Sequence, residues 1–237
     1  MKPAGLAAAL AATLLLFAIA AAPAESLRLA AIGDYGAGST AEGQVADMIA
    51  GFAPIDDILA LGDNNYVLGE NATIDAHIGQ YYASYISPYM GSYGAGSSSG
   101  NHFWPIPAAQ PPAPYHWYFP TLNGSNFYSQ VLGGGLLEIF TLDSDCNEPA
   151  GTTNTSAQAA WLAGALAASS ATWKLIMLHH APYSSGAGHG SISRMQWLYE
   201  RILKAGGFPY FVNGIGGDDL YGYRTVLEPG LHAIDTE

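Results

Sequence analysis

The sequence predicts an α/β protein whose sheet is buried on both faces. Three observations carry that prediction. First, LRLAAIG, IDDILALG and WKLIMLH are short, nearly continuous apolar runs bounded by turn residues, the signature of strands covered on both sides. Second, longer segments with helical spacing or alanine-rich composition lie between such runs. Third, the order is strand, helix, strand, helix, then strand, strand, helix, strand. That alternation suits crossover connections and helices packed over a sheet.

In chain order, Leu27 to Gly33 (LRLAAIG) is a strand that ends in DYGAGS. Thr40 to Phe52 (TAEGQVADMIAGF) is an amphipathic helix, with Thr40 and Glu42 near its start, where capping groups and acidic side chains are favoured. IDDILALG is the second buried strand. TIDAHIGQYYASYI, Thr73 to Ile86, reads as a helix packed through its aromatics. Residues 88–126, rich in Gly, Ser, Pro and aromatics, read as one long ordered loop. NFYSQVL and LLEIFTLDS are strands, Ser156 to Ser169 is an alanine-rich helix, and WKLIMLH is a further buried strand. SRMQWLYERILKAGG follows as a helix, and FPYFVNGIGG and DLYGYRTVL as closing strands. There is no internal repeat.

The 237 residues suffice for one sizeable core. Residues 25–237 are therefore expected to form a single domain. A net charge of -12 with only 7 Lys and Arg argues against a nucleic-acid partner, since tracking a phosphate backbone requires cations. If the chain handles phosphate, bound metal must supply the positive charge. Residues 1–24 carry Lys2, an apolar run and Ala22-Pro23-Ala24, the pattern of a signal peptide cleaved after Ala24. The expected destination is secreted or periplasmic, with no stable membrane insertion after cleavage. Cys146 is the only cysteine, so no intramolecular disulfide is possible, and it is expected to be a small buried hydrophobe.

The polar clusters stand where such folds build their sites, at the carboxyl ends of strands. GDYG (Gly33 to Gly36) follows the first strand, GDNNY (Gly62 to Tyr66) the second, and HHAPY (His179 to Tyr183) a later one. GNH (Gly100 to His102) lies in the long loop. Asp34, Asp63, Asn101 and His179 or His180 offer carboxylate, carboxamide and imidazole ligands, which suit divalent or trivalent first-row metals. A carboxylate can bridge two ions, and ions about 3.5–4 Å apart form the clamp used in phosphoryl hydrolysis. His77, His116 and His232 read as structural.

In order, GDxG, GDNxY, GNH and HHxPYSSG…HG resemble the calcineurin-like metallophosphoesterases. Within them they resemble the purple and tartrate-resistant acid phosphatases and their secreted bacterial relatives. The likeness runs from Leu27 to Tyr223, supported by LDSDCNEPAG, SAQAAWLAGALAASSATWK and FPYFVNGIGG. It implies an α/β/β/α sandwich of two mixed sheets and a catalytic domain that hydrolyses phosphomonoesters by metal-hydroxide attack. It also implies two metal ions, Fe(III) with a divalent Fe, Zn or Mn, and a small phosphorylated substrate. Asp34 would bind the first ion, Asp63 bridge both, and Tyr66 ligate the first as phenolate. Asn101 would bind the second ion with one of the paired histidines. Aligning the aromatic-then-serine makes that His179; counting back from His189 makes it His180; His179, which follows the strand directly, is preferred. His102 and His189 would assist the leaving group as catalytic residues.

Gly36 stands where the wider superfamily often has a ligating histidine, and Tyr66 is present, as in the acid phosphatase branch. The chain departs from the pattern in two places. Phe103 replaces the acid that usually orients the preceding histidine. No GHxH box precedes Tyr199-Glu200-Arg201. The expectation is that one strand-loop unit is missing near residue 198 and that the helix across it joins two separate pieces. The alternative function is then a catalytically impaired or inactive phosphatase-like binding protein.

Overall fold

The computed structural model describes residues 26–67, 69–86, 118–119, 125–184, 190–204 and 210–213. It is an α/β protein. Strand β1 (Leu29–Ile32) leads to helix α1 (Thr40–Gly51) and strand β2 (Asp57–Ala60). A π-helical turn (Asp75–Gly79) runs into helix α2 (Gln80–Ile86). Strands β3 (Tyr128–Leu132) and β4 (Leu137–Thr141) follow, then helix α3 (Ala157–Ala168), strand β5 (Trp173–Leu178), helix α4 (Ser193–Lys204) and strand β6 (Tyr210–Asn213). Among the described residues, no helix is long and apolar enough to cross a membrane. The expected signal peptide, nearly all of the 88–126 loop and the last expected strand lie outside the described residues.

The described strands form two sheets, the number the resemblance implies, where the apolar runs alone suggest one. β1 and β2 are a parallel pair, with Leu29 opposite Asp57 and Ile32 opposite Ala60. The second sheet has the order β3-β4-β5-β6; β3 is antiparallel to β4, and the other pairs are parallel. Period-two alternation assigns each strand's side chains to a layer. From β1 and β2, Ala30, Ile32, Ile58 and Ala60 pack with Ile49 of α1 and with Ile78 and Tyr82. From β2's other face, Leu59 and the following Leu61 meet Leu137 and Ile139 of β4 and Met177 of β5. On the far side of the second sheet, Phe140, Ile176 and Leu178 pack against Leu162 and Leu166 of α3 and against Met195 and Leu198 of α4. Burying each of the Ile, Leu, Met and Phe side chains among them contributes about 1.5–3 kcal/mol.

Local chemistry sets the helix ends. Ser39, rather than Thr40, caps α1: its Oγ accepts from the Glu42 amide at 3.2 Å. Glu42 reaches back, and its Oε2 accepts from the Gly38 amide at 2.7 Å. Burial pushes the Glu42 carboxyl up to about 7, against the pull of the backbone amides of Gly38, Ser39 and Ala37. Ser156 caps α3, accepting from the Ala159 amide. Phe119 is fully buried in the α1/α2 core, and Tyr118 donates to Asp75 Oδ1 at 2.9 Å, so these two residues of the long loop pack as ordered structure. α4 runs without a break through residue 198, where a join was expected. Cys146 is exposed, contrary to expectation, because it lies in the polar turn after β4 and not in a strand.

Candidate metal centre

β1 and β2 end side by side, and their pairing continues into the loops beyond them. The Leu61 amide donates to Ile32 O, Asp34 to Gly62 O at 3.0 Å, Gly36 to Asp63 O at 3.3 Å, and Tyr66 to Gly36 O at 2.7 Å. Two turn residues accept left-handed backbone to make this possible: Asp34 has φ 55° and Asp63 φ 51°. Aspartate tolerates that region better than most side chains. Gly36 allows the loops to touch, since a Cβ there would lie 1.8 Å from Asn64 O. No side chain fits at that position, so a histidine could not replace Gly36 in this loop. Asn65 shapes the turn, donating to Glu70 O and accepting from Thr73 Oγ1.

The loops bring Asp34, Asp63 and Tyr66 together. The Tyr66 hydroxyl donates to Asp63 Oδ2 at 2.9 Å and lies 3.3 Å from Asp34 Oδ1. Burial first, then the charges of Asp34 and Asp63, holds the Tyr66 hydroxyl far above the ordinary phenol range. A cation between these groups would replace the phenol proton and lift that restraint.

His179 enters from the end of β5. It is buried, and its Nδ1 donates to Leu61 O at 3.2 Å. That bond directs Nε2 to Asp63 Oδ1, 3.6 Å away, and a backbone-anchored imidazole of this kind is a usual setting for a metal ligand. Gly62 makes room for it: a Cβ there would lie 2.6 Å from His179 Nδ1, and its φ of 113° also favours glycine. One ligand atom each from Asp34, Asp63 and His179 lie within 4.8 Å of one another. The two Asp63 oxygens thus face different neighbours, Oδ2 toward Tyr66 and Oδ1 toward His179. The donor set of two carboxylates, a phenol and an imidazole fits a hard or borderline cation.

His180 turns elsewhere, with its Nδ1 2.8 Å from Ser144 Oγ. The choice left open between the two histidines therefore falls to His179 for the position beside Asp63. Asn101, His102 and His189 lie outside the described residues.

Sequence reasoning missed the loop after β4. Asp143, Ser144 and Asp145 are all buried there. Gln158 of α3 fixes the loop: its Oε1 accepts from the Asp143 amide at 2.8 Å and its Nε2 donates to Asp143 O at 2.9 Å. Arg194 of α4 donates to Ser144 O at 3.1 Å. The only signal was the polar run LDSDCNEPAG directly after a strand. Compared with models of known protein families the chain matches none, and no curated protein matches it.

Proposed function

We propose that this chain is an exported metal-dependent hydrolase of phosphomonoesters, built as a metallophosphoesterase-type α/β/β/α sandwich. The observation that carries the proposal is the placement of Asp63, one oxygen toward Tyr66, whose hydroxyl also reaches Asp34, and the other toward His179. A carboxylate so placed can serve two ions at once. The three apolar clusters support the four-layer architecture: helices on the first sheet, sheet on sheet, and helices on the second. Asp34, Asp63 and Tyr66 would hold one ion, preferably Fe(III) for its affinity for phenolate. Asp63, His179 and Asn101 would hold a divalent partner. When bound, the ions would supply Lewis acidity that activates water and neutralises phosphoryl charge.

The chain's own residues prepare that chemistry. The Leu61 carbonyl fixes the His179 ring. The interlocked loops hold the two aspartates without further ordering, so no reorganisation is needed when charge develops. His102 and His189 are proposed to assist the leaving group. The substrate is a small phosphorylated molecule, with no nucleic-acid partner, and the compartment is secreted or periplasmic.

A second reading is favoured by two observations. α4 is continuous through residue 198, and the sequence has no GHxH box. The chain would then be a phosphatase-like protein that binds without turnover. Metal analysis of the purified chain with a generic phosphomonoester assay separates the two. Bound iron with acid-range hydrolysis supports the hydrolase. Absence of hydrolysis at saturating iron, zinc and manganese would overturn it, and metal uptake without hydrolysis would leave the binding protein.

A further inference from the structure

Ser144 is only 1% exposed, and its hydroxyl meets a single neighbour among the described residues, His180. The His180 amide donates to Ser144 Oγ at 3.0 Å, and the same oxygen lies 2.8 Å from His180 Nδ1. A buried hydroxyl needs an acceptor for its own proton. Among the described residues, His180 Nδ1 is the acceptor within reach, so Ser144 donates to it. With Nδ1 accepting, the ring presents its N–H at Nε2, at the edge turned away from Ser144.

That ring stands beside the candidate metal centre. The His179 and His180 rings meet edge to face, with centroids 4.9 Å apart. His179 is buried, while His180 is only partly covered. The mounting is rigid: Gln158 grips the neighbouring Asp143 from α3, and Arg194 grips the Ser144 carbonyl from α4.

We propose that His180 is a substrate-positioning residue whose Nε2–H donates to an oxygen of a phosphoryl group held at the Asp34/Asp63/His179 cluster, and that Ser144 is the positioning residue that fixes this donor. The inference rests on the phosphohydrolase reading above. It supplies an N–H donor for an anionic substrate in a chain with few cations, and it gives the second histidine of the HH pair a role distinct from its neighbour's.

The experiment uses the full chain loaded with metal and inorganic phosphate as the probe. Calorimetry gives phosphate affinity, elemental analysis gives metal content, and ¹⁵N shifts of the imidazoles give the tautomer. In the wild type, His180 should show a protonated Nε2 and an accepting Nδ1. His180→Ala should keep its metal and bind phosphate about 10- to 100-fold more weakly, the loss of one hydrogen bond to a charged oxygen. His180→Gln, which retains an N–H donor, should recover most of that loss. Ser144→Ala should abolish the single-tautomer pattern and weaken phosphate binding several-fold, and Ser144→Thr should restore both. The proposal is overturned by wild-type phosphate affinity in His180→Ala at equal metal content, by loss of metal in that variant, or by a protonated Nδ1 in the wild type. If His180→Ala does not fold, the Ser144 pair and His180→Gln decide in the same way. A wild-type chain that takes up neither metal nor phosphate overturns the phosphohydrolase reading itself, and this inference with it.

Discussion

The Tyr66 hydroxyl donates to Asp63 Oδ2 at 2.9 Å, joining two residues that stand three apart on one turn. The phenol is buried against two carboxylates, so its proton is held tightly by the protein alone. Only a cation of high charge density competes well for that oxygen. Loading the protein with Fe(III) should therefore produce a visible phenolate-to-iron band. Tyr66→Phe should lose the band and lower iron content, with the fold intact by circular dichroism. An unchanged spectrum in Tyr66→Phe would remove Tyr66 from the site.

Gly36 sets how closely the first two loops approach. Alanine there would place its Cβ 1.8 Å from a backbone oxygen, which cannot rotate aside. Gly36→Ala is expected to cost about 3 kcal/mol or more, read by chemical denaturation. Gly62→Ala should act more narrowly, displacing the His179 ring 2.6 Å away and lowering metal affinity beyond its effect on stability.

Glu42 imposes a pH dependence on stability. Its folded-state pKa is about 7 against an ordinary 4.5, so between those values the folded chain holds a proton that the unfolded chain has released. The contribution is fully present below about pH 4.5 and is lost as pH rises through about 7, a change of about 1–3 kcal/mol. Glu42→Gln should flatten that slope, making the variant relatively more stable above pH 7 than the wild type. Urea denaturation at pH 4.5 and pH 8 provides the comparison.

Leu162 is fully buried between α3 and the second sheet. Leu162→Ala should cost about 2–5 kcal/mol through lost burial and a residual cavity. It lies away from the candidate centre, so metal content per folded molecule should not change.

The strands that carry the centre were legible because their information is local. Apolar runs ending in GDYG, GDNNY and HHAPY mark a strand and its carboxyl-end loop within a few residues, and they place Asp34, Asp63 and His179 or His180; Tyr66 follows only from the family resemblance. The division into two sheets was not legible from the residues themselves. Leu59 and Met177 are equally apolar whether they face a helix or another sheet, and only long-range pairing decides. The π-helical turn at Asp75–Gly79 was read as ordinary helix because its composition does not differ from one. Ser144, Gln158 and Arg194 escaped notice because each meets its partner only after folding, across 36, 15 and 50 residues respectively. His179 and His180 are adjacent in sequence, and only the positions of Leu61 O and Ser144 Oγ separate their roles.

The bond from His179 to the Leu61 carbonyl spans 118 positions and joins the ends of strands from different sheets. Three members of the cluster sit on the first sheet's loops, and the fourth arrives from the second sheet. The cluster is therefore complete only when the two sheets are docked through Leu59, Leu61, Leu137, Ile139 and Met177. A cation gripping all four would bind the docked form and not the separated one. By mass action it would act as a rivet, raising the cooperativity with which the two halves of the chain melt.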